Sequence, residues 1–185
     1  LMSIFTDIKH WYGLWSLKRS NIEDQRQHQV FNLDQAKCIM ILFDATEPKD
    51  IEQVKKYVSK LSPGKEKVSV FGYVNEVDKS FEHMSSLHFD FFSNKDLNWY
   101  GKPEGMVINN FLQEEYDILI DLTLSSFYPL TYLAVASPSK FKVGRFRDDV
   151  QVFDLTIEHT DSMNLSGLIS QMNHYLTLIK PPHAT

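Results

Sequence analysis

The chain has 185 residues, 43% hydrophobic and 23% charged, which fits one globular domain with a substantial core. Its formal net charge of -5 argues against a general nucleic-acid binder, which would carry a basic field. Cys38 is the single cysteine, so an intrachain disulfide is excluded and a reducing compartment fits; no apolar run reaches the length of a membrane span, and no signal peptide is expected.

Ile4, Ile8, Trp11 and Trp15 recur at helical spacing, with Phe5 and Tyr12 beside them. Residues 3–19 are therefore predicted to form an amphipathic helix with an aromatic face, among which Lys9, Lys18 and Arg19 are interspersed. Three destinations are open to that face: the domain itself, a twin subunit, or a membrane surface touched through Trp11 and Trp15. Residues 20–35 are polar and read as a linker or helix tail. The chain thus divides into a helix and linker over 1–35 and an α/β domain over 36–180.

Ala36 to Phe43 is a continuous apolar run, the pattern of a strand covered on both faces. Glu47-Pro48 opens a helix whose buried stripe is Ile51, Val54, Val58 and Leu61, and Pro63-Gly64 stops it. Lys67 to Val74 is a second strand, so the segment reads as a parallel strand–helix–strand crossover. Leu87 to Phe92 suits a short strand, and Met106 to Glu115 a short helix. Tyr116 to Leu122 is a strand, Pro129 to Ser137 a helix, Lys140 to Phe146 a strand and Val152 to Ile157 another. Asn164 caps the last helix, which runs to Ile179; its glycosylation sequon is read as a cap.

In a parallel sheet, ligands bind beyond the carboxyl ends of the strands. The residues expected there are Asp44 and Thr46, Tyr73 and Asn75, Asp121, Thr123, Ser125 and Ser126, and Gly144 with Arg145. That rim suits a polar ligand; the plainer reading is that Asp44 and Asp121 cap the helices that follow them. The first turn, Asp44 to Asp50, lacks glycine and holds three acids, which argues against a classical dinucleotide or P-loop phosphate site. Lys140, Lys142, Arg145 and Arg147 could form an anion patch but read more readily as a solvated strand edge, with Arg145 alone able to reach the cleft. The seven histidines lack zinc spacing, no serine sits in a nucleophile elbow, and Cys38 is read as an inert thiol deep in its strand. Between Lys95 and Pro103, Trp99 and Tyr100 could stack on a sugar or base while Asp96, Asn98 and Lys102 hydrogen-bond to it; alternatively the aromatics pin the loop to the sheet.

Two resemblances rest on these elements. The segments ILFDAT (41–46), HFDFFSNKDLNWYGKP (88–103), DILIDL (117–122) and KFKVGRF (140–146) resemble an uncharacterised bacterial family of small α/β proteins, a domain of unknown function. That resemblance implies a cytoplasmic bacterial protein and supplies no activity. More distantly, YDILIDL, LAVASPSK, FKVGRF and MNHYLTLI are similar, in order, to segments in the N-terminal half of heptosyltransferase-like glycosyltransferases of family nine, with GT-B architecture. In that family an Asp in a "GD" pair after the first strand is the catalytic base. Asp50 is the nearest match, with Lys49 in place of the glycine. The family also binds its donor nucleotide mainly through a second Rossmann domain.

The expected fold is α/β: one Rossmann-like three-layer domain with a mostly parallel sheet of about five or six strands, preceded by the amphipathic helix. The expected function is a non-catalytic or degenerate glycosyltransferase-like domain binding a small polar ligand or a protein partner. The alternatives are a transferase with Asp50 or Asp44 as base and Arg145 steadying a phosphate, completed by a partner or a homo-oligomer, and a peripheral membrane or scaffold protein. No cofactor, metal or nucleic acid is expected.

Overall fold

The computed structural model describes residues 12–13, 15–17, 26–75, 88–148, 151–158 and 163–180. The apolar run forms β1 (Cys38–Asp44), buried from Ile39 to Phe43. Pro48 then occupies the first position of α1 (Pro48–Leu61), where its missing N–H is no loss, and Ile51, Val54, Tyr57, Val58 and Leu61 face inward. There follow β2 (Lys67–Val74), β3 (Phe89–Ser93), a 3₁₀ turn over Asn94–Asp96, α2 (Met106–Gln113), β4 (Ile118–Asp121), α3 (Tyr128–Ala136), β5 (Phe141–Arg145), β6 (Leu155–Ile157) and α4 (Leu165–Leu178). Asn164 caps α4 as expected, accepting from the Gly167 N–H.

The six strands form one sheet in the order β3-β2-β1-β4-β5-β6, and every pairing is parallel. The expected Rossmann-like α/β arrangement is therefore present. Alternation along β1 divides the core into two layers. Ile39, Ile41 and Phe43 pack under α1 and α4, against residues such as Val54, Leu168 and Met172. Met40 and Leu42 face the other way, toward α2 and α3, with Phe71, Phe92, Phe111 and Leu133. Strands buried on both faces have no polar side to display, which is why their sequences are continuous apolar runs.

Helix α3 is buried on nearly every side, so something must cover its outer surface. Part of that cover comes from the helical residues near the N-terminus: Leu17 is buried with Tyr128, Val135 and Val152. Tyr12 lies against Trp99 and Tyr100. The aromatic helix face thus packs on the domain at Tyr12 and Leu17, while Trp15 is 42% exposed and Trp11 lies outside the described residues. Residues 26–35 also lie along the domain. The Arg26 guanidinium donates to Asp154 at 2.7 Å and to the Lys140 carbonyl at 2.9 Å, and Leu33 is buried.

Two expectations are corrected. The basic series does not form a solvated edge, because β5 lies between β4 and β6. Lys142 is fully buried and its Nζ donates to the Val135 carbonyl at 2.8 Å. That oxygen is among the last of α3, where helical carbonyls lack intrahelical donors and a cation is favoured. Arg147 is 5% exposed. Cys38 stands at the mouth of β1 and is half-buried rather than deep. Burial, and then the nearby Asp117 and Glu66 carboxylates, push its thiol above the ordinary range, so the inert reading keeps its physical basis.

Candidate functional site

In this strand order β1 is flanked by β2 and β4, so successive connections leave it in opposite directions. A crevice opens where they part, beyond the carboxyl ends of β1 and β4. Asp44 ends β1 and Asp121 ends β4. Neither caps a helix. Asp44 accepts from the Thr46 N–H at 3.0 Å, closing a turn two residues on, and the cap position of α1 is Glu47. Asp121 makes the same turn with the Thr123 N–H at 2.9 Å and also accepts from the Thr123 hydroxyl.

Asp121 is wholly buried, and Arg147 Nη2 reaches it at 2.7 Å. Arg147 Nη1 donates to the Thr131 hydroxyl on α3, also at 2.7 Å. The Phe153 ring lies 5.6 Å from the guanidinium. The acid at the centre of the crevice is therefore consumed in joining β4, α3 and the segment after β5. Thr123 is equally buried. Ser125 is exposed in the loop from β4 to α3, and Arg145 is half-buried at the end of β5.

On the β2 side the rim is a network of neutral polar groups. The Asn75 N–H donates to the Thr46 hydroxyl at 3.3 Å. Asn94 Nδ2 donates to the Asn75 carbonyl at 2.7 Å, and the Tyr73 hydroxyl donates to Asn94 Oδ1 at 2.6 Å. Burial, and then Asp44, push the Tyr73 phenol above its ordinary range, so it remains a donor. Asp50 lies half-buried in the first turn of α1, accepting from Gln53 Nε2 at 3.3 Å. Desolvation raises its carboxyl pKa, Lys49 opposes the rise, and Glu47 and Asp44 add to it.

The loop after β3 is a built element. Asp96 Oδ2 accepts from the Ser93 N–H at 2.8 Å and from its hydroxyl, a capping box on the 3₁₀ turn. Leu97 and Pro103 then form an antiparallel bridge. Between them Asn98 Oδ1 accepts from the Tyr100 and Lys102 N–H groups at 3.2 and 3.0 Å, while its Nδ2 donates to Glu104 at 2.9 Å. Gly101, with φ +92°, closes this small hairpin in a conformation that L side chains rarely adopt. Asp96 and Asn98 thus spend their polar atoms on the loop. The Lys102 ammonium lies 3.9 Å from Glu104 and 5.5 Å from the centre of the Tyr132 ring.

What the hairpin presents is aromatic. Trp99 is 66% exposed, with Tyr12 at 5.5 Å and Tyr100 at 5.1 Å between ring centres. Between the hairpin and the start of α3 lies an open groove of about 400 Å³. Asn94, Trp99 and Tyr100 line one side, and Ser126, Phe127 and Tyr128 the other. Of the expected site residues, the structure brings Asn98, Trp99, Tyr100 and Ser126 to this groove. Asp44, Thr46 and Asn75 lie together at the neighbouring rim. Of the groove's far wall, sequence reasoning named Ser126 but neither Phe127 nor Tyr128. They precede the helix expected from Pro129, and it is the pairing of β1 with β4 that sets the turn after β4 beside the crevice.

A second cavity of about 150 Å³ lies at the opposite end of the sheet, near Lys67, Ser69 and Tyr116. Among the described residues, no cluster of three or more His, Cys, Asp or Glu could hold a metal ion. Nor is any described helix long and apolar enough to cross a membrane.

Comparison with curated proteins and with solved structures returned no match. A family model does match, over residues 9–179, and so takes in the strands, the hairpin and the wall of the groove together: the chain belongs to DUF6913, a family of unknown function.

Proposed function

We propose that this chain is a non-catalytic binding domain, and that a small polar ligand carrying a ring occupies the groove between the 97–103 hairpin and the start of α3. One observation carries the reading. The acids that chemistry at this edge would use are bound into the framework, whereas Trp99 is held in place and left open. Asp121 is buried against Arg147. Asp44 closes its turn and Asp96 its capping box. Trp99, by contrast, is mostly exposed on a hairpin fastened by Asn98. A groove of this volume falls in the range of small-molecule sites, roughly 300–1,000 Å³. We place the protein in a bacterial cytoplasm, a setting in which the free thiol of Cys38 would remain reduced.

The test is a thermal-shift screen with neutral sugars, nucleosides, nucleotides and nucleotide sugars. A ligand that binds only the folded state raises the melting temperature by mass action. The reading requires a dose-dependent rise for at least one probe that is reduced in Tyr128→Ala relative to that variant's own baseline. A rise that is equal in the variant would place the ligand elsewhere and remove the proposal.

A second reading, a glycosyltransferase-type enzyme completed by a partner, is favoured by Asp50. Its carboxyl, held above the ordinary range chiefly by desolvation, has the character wanted of a general base. If turnover of a nucleotide sugar is found, Asp50→Asn should abolish it. Unchanged turnover would exclude Asp50 as the base.

A further inference from the structure

We propose that the groove takes the apolar face of an uncharged pyranose ring, stacked on Trp99; this names the ligand class and rests on the reading of the groove as a ligand site. Three observations carry it. The first is the platform. Trp99 is 66% exposed, yet its ring is positioned by Tyr12 at a 33° tilt and by Tyr100 nearly edge-on at 73°. The hairpin beneath it is closed by Asn98 and Gly101. Such a ring is oriented before any ligand arrives, which reduces the ordering entropy of binding.

The second is charge. Among the described residues, no Asp, Glu, Lys or Arg lines the groove. The neighbouring cations are engaged: Arg147 with Asp121, and Lys102 with Glu104 and the Tyr132 ring. The helix N-terminus in the first turn after β1, where a phosphate would be favoured, carries Glu47 and Asp50 instead. An uncharged ligand is the one that this wall accommodates without an unpaired charge.

The third is ring geometry. A planar base held between two side chains needs parallel rings about 7–8 Å apart, twice the optimal contact distance. Across the groove, Tyr100 and Tyr128 stand 6.5 Å apart at 49°, and Trp99 and Tyr100 are near perpendicular. These pairs do not make a slot. A chair-shaped sugar needs one platform for its C–H face and polar groups for its hydroxyl edge. Asn94 and Ser126, both exposed, are among the polar residues that line the groove.

Isothermal titration calorimetry on the full chain tests the proposal, with glucose, galactose, mannose and N-acetylglucosamine as probes beside their 1-phosphates, uridine and adenosine. At least one neutral sugar should bind saturably, and its 1-phosphate no more tightly. Trp99→Ala should weaken that binding roughly tenfold, the scale of one lost aromatic contact, and Trp99→Phe should restore most of it. The wild-type titrations decide the ligand class even if the alanine variant folds poorly. Tighter binding of a nucleoside or a sugar phosphate, lost in Trp99→Ala, overturns the pyranose assignment and keeps the groove. Sugar binding indifferent to Trp99 overturns the proposal by moving the site. No binding by any probe at high millimolar concentration overturns both the assignment and the groove reading.

Discussion

Asp121→Ala should be among the most destabilising single changes in this domain. The substitution leaves Arg147 charged in a place where its side chain is 2% exposed. It also removes the acceptor for the Thr123 N–H and hydroxyl. Hydrogen bonds to a charged group contribute about 1.5–3 kcal/mol each. Removing one partner of a buried pair costs about 3–5 kcal/mol, because the other charge has neither water nor partner. Domains of this kind are stable by only about 5–15 kcal/mol in all, so the variant should be marginal. Urea unfolding followed by far-ultraviolet circular dichroism measures the loss. The informative comparison is the double variant Asp121→Leu with Arg147→Met, which removes both charges and keeps the volume. It should recover much of the deficit, since an apolar pair often replaces a buried ion pair without loss. A deficit below about 1 kcal/mol for Asp121→Ala, the size of an exposed ion pair, would refute the buried-pair reasoning. A double variant as unstable as the sum of its parts would refute the coupling.

Three further outcomes are expected. Gly101→Ala forces an L side chain into φ +92°, at a cost of about 1–2 kcal/mol, and should displace Trp99, measured as a lower melting temperature and a changed near-ultraviolet dichroism. Unchanged spectra would mean that the hairpin does not need glycine. Leu17→Ala uncovers part of α3 and should cost about 2–3 kcal/mol in urea unfolding, whereas an effect below about 0.5 kcal/mol would show that the N-terminal helix contributes nothing to the domain. The Asp154 carboxyl is pushed up by burial, but the Arg26 guanidinium, the Lys142 N–H and His28 outweigh that and hold it below its ordinary range. A lowered folded pKa means stability that is present above about pH 4 and lost as pH falls through the folded value. Arg26→Ala should therefore flatten the acid limb of the stability–pH curve, and identical acid limbs would discount the clamp.

The layers were legible because each depends on one periodicity. Ile39 to Phe43 and Ile118 to Ile120 are apolar at every position, and only a strand covered twice needs that. The helices α1 and α4 carry their buried stripes and stops openly, with Pro48 at one start and Asn164 at the other. Strand order was not legible, and the basic series was misread for that reason. Lys142 and Arg147 look like edge residues until β6 is seen to pair beyond β5. Their long apolar stems also let them occupy a core that their charge would seem to forbid. The site suffered the same limit. Trp99 stood out by composition, while Tyr128 gained meaning only when the turn after β4 was placed opposite the hairpin.

The use made of the crevice follows from that arrangement. In sheets of this order the first turn after β1 commonly receives a phosphate, because glycines let the backbone close on it. Here the turn is Asp44 to Glu47, and Ala45 is buried beneath it. The second strand of the crevice ends on an acid already neutralised by Arg147. Both positions that would recognise a charged ligand are thereby closed, one by repulsion and one by an internal partner. What remains open lies to one side, where the loop after β3 rises as a fastened hairpin and its aromatics meet the start of α3. Recognition at this edge then rests on ring surfaces and neutral polar groups. Salt should accordingly have little effect on ligand affinity, since among the described residues no charged side chain lines the groove and screening acts on charge. Affinity measured across a tenfold range of sodium chloride would decide this: a steep fall would mean that a charged group outside the groove holds the ligand.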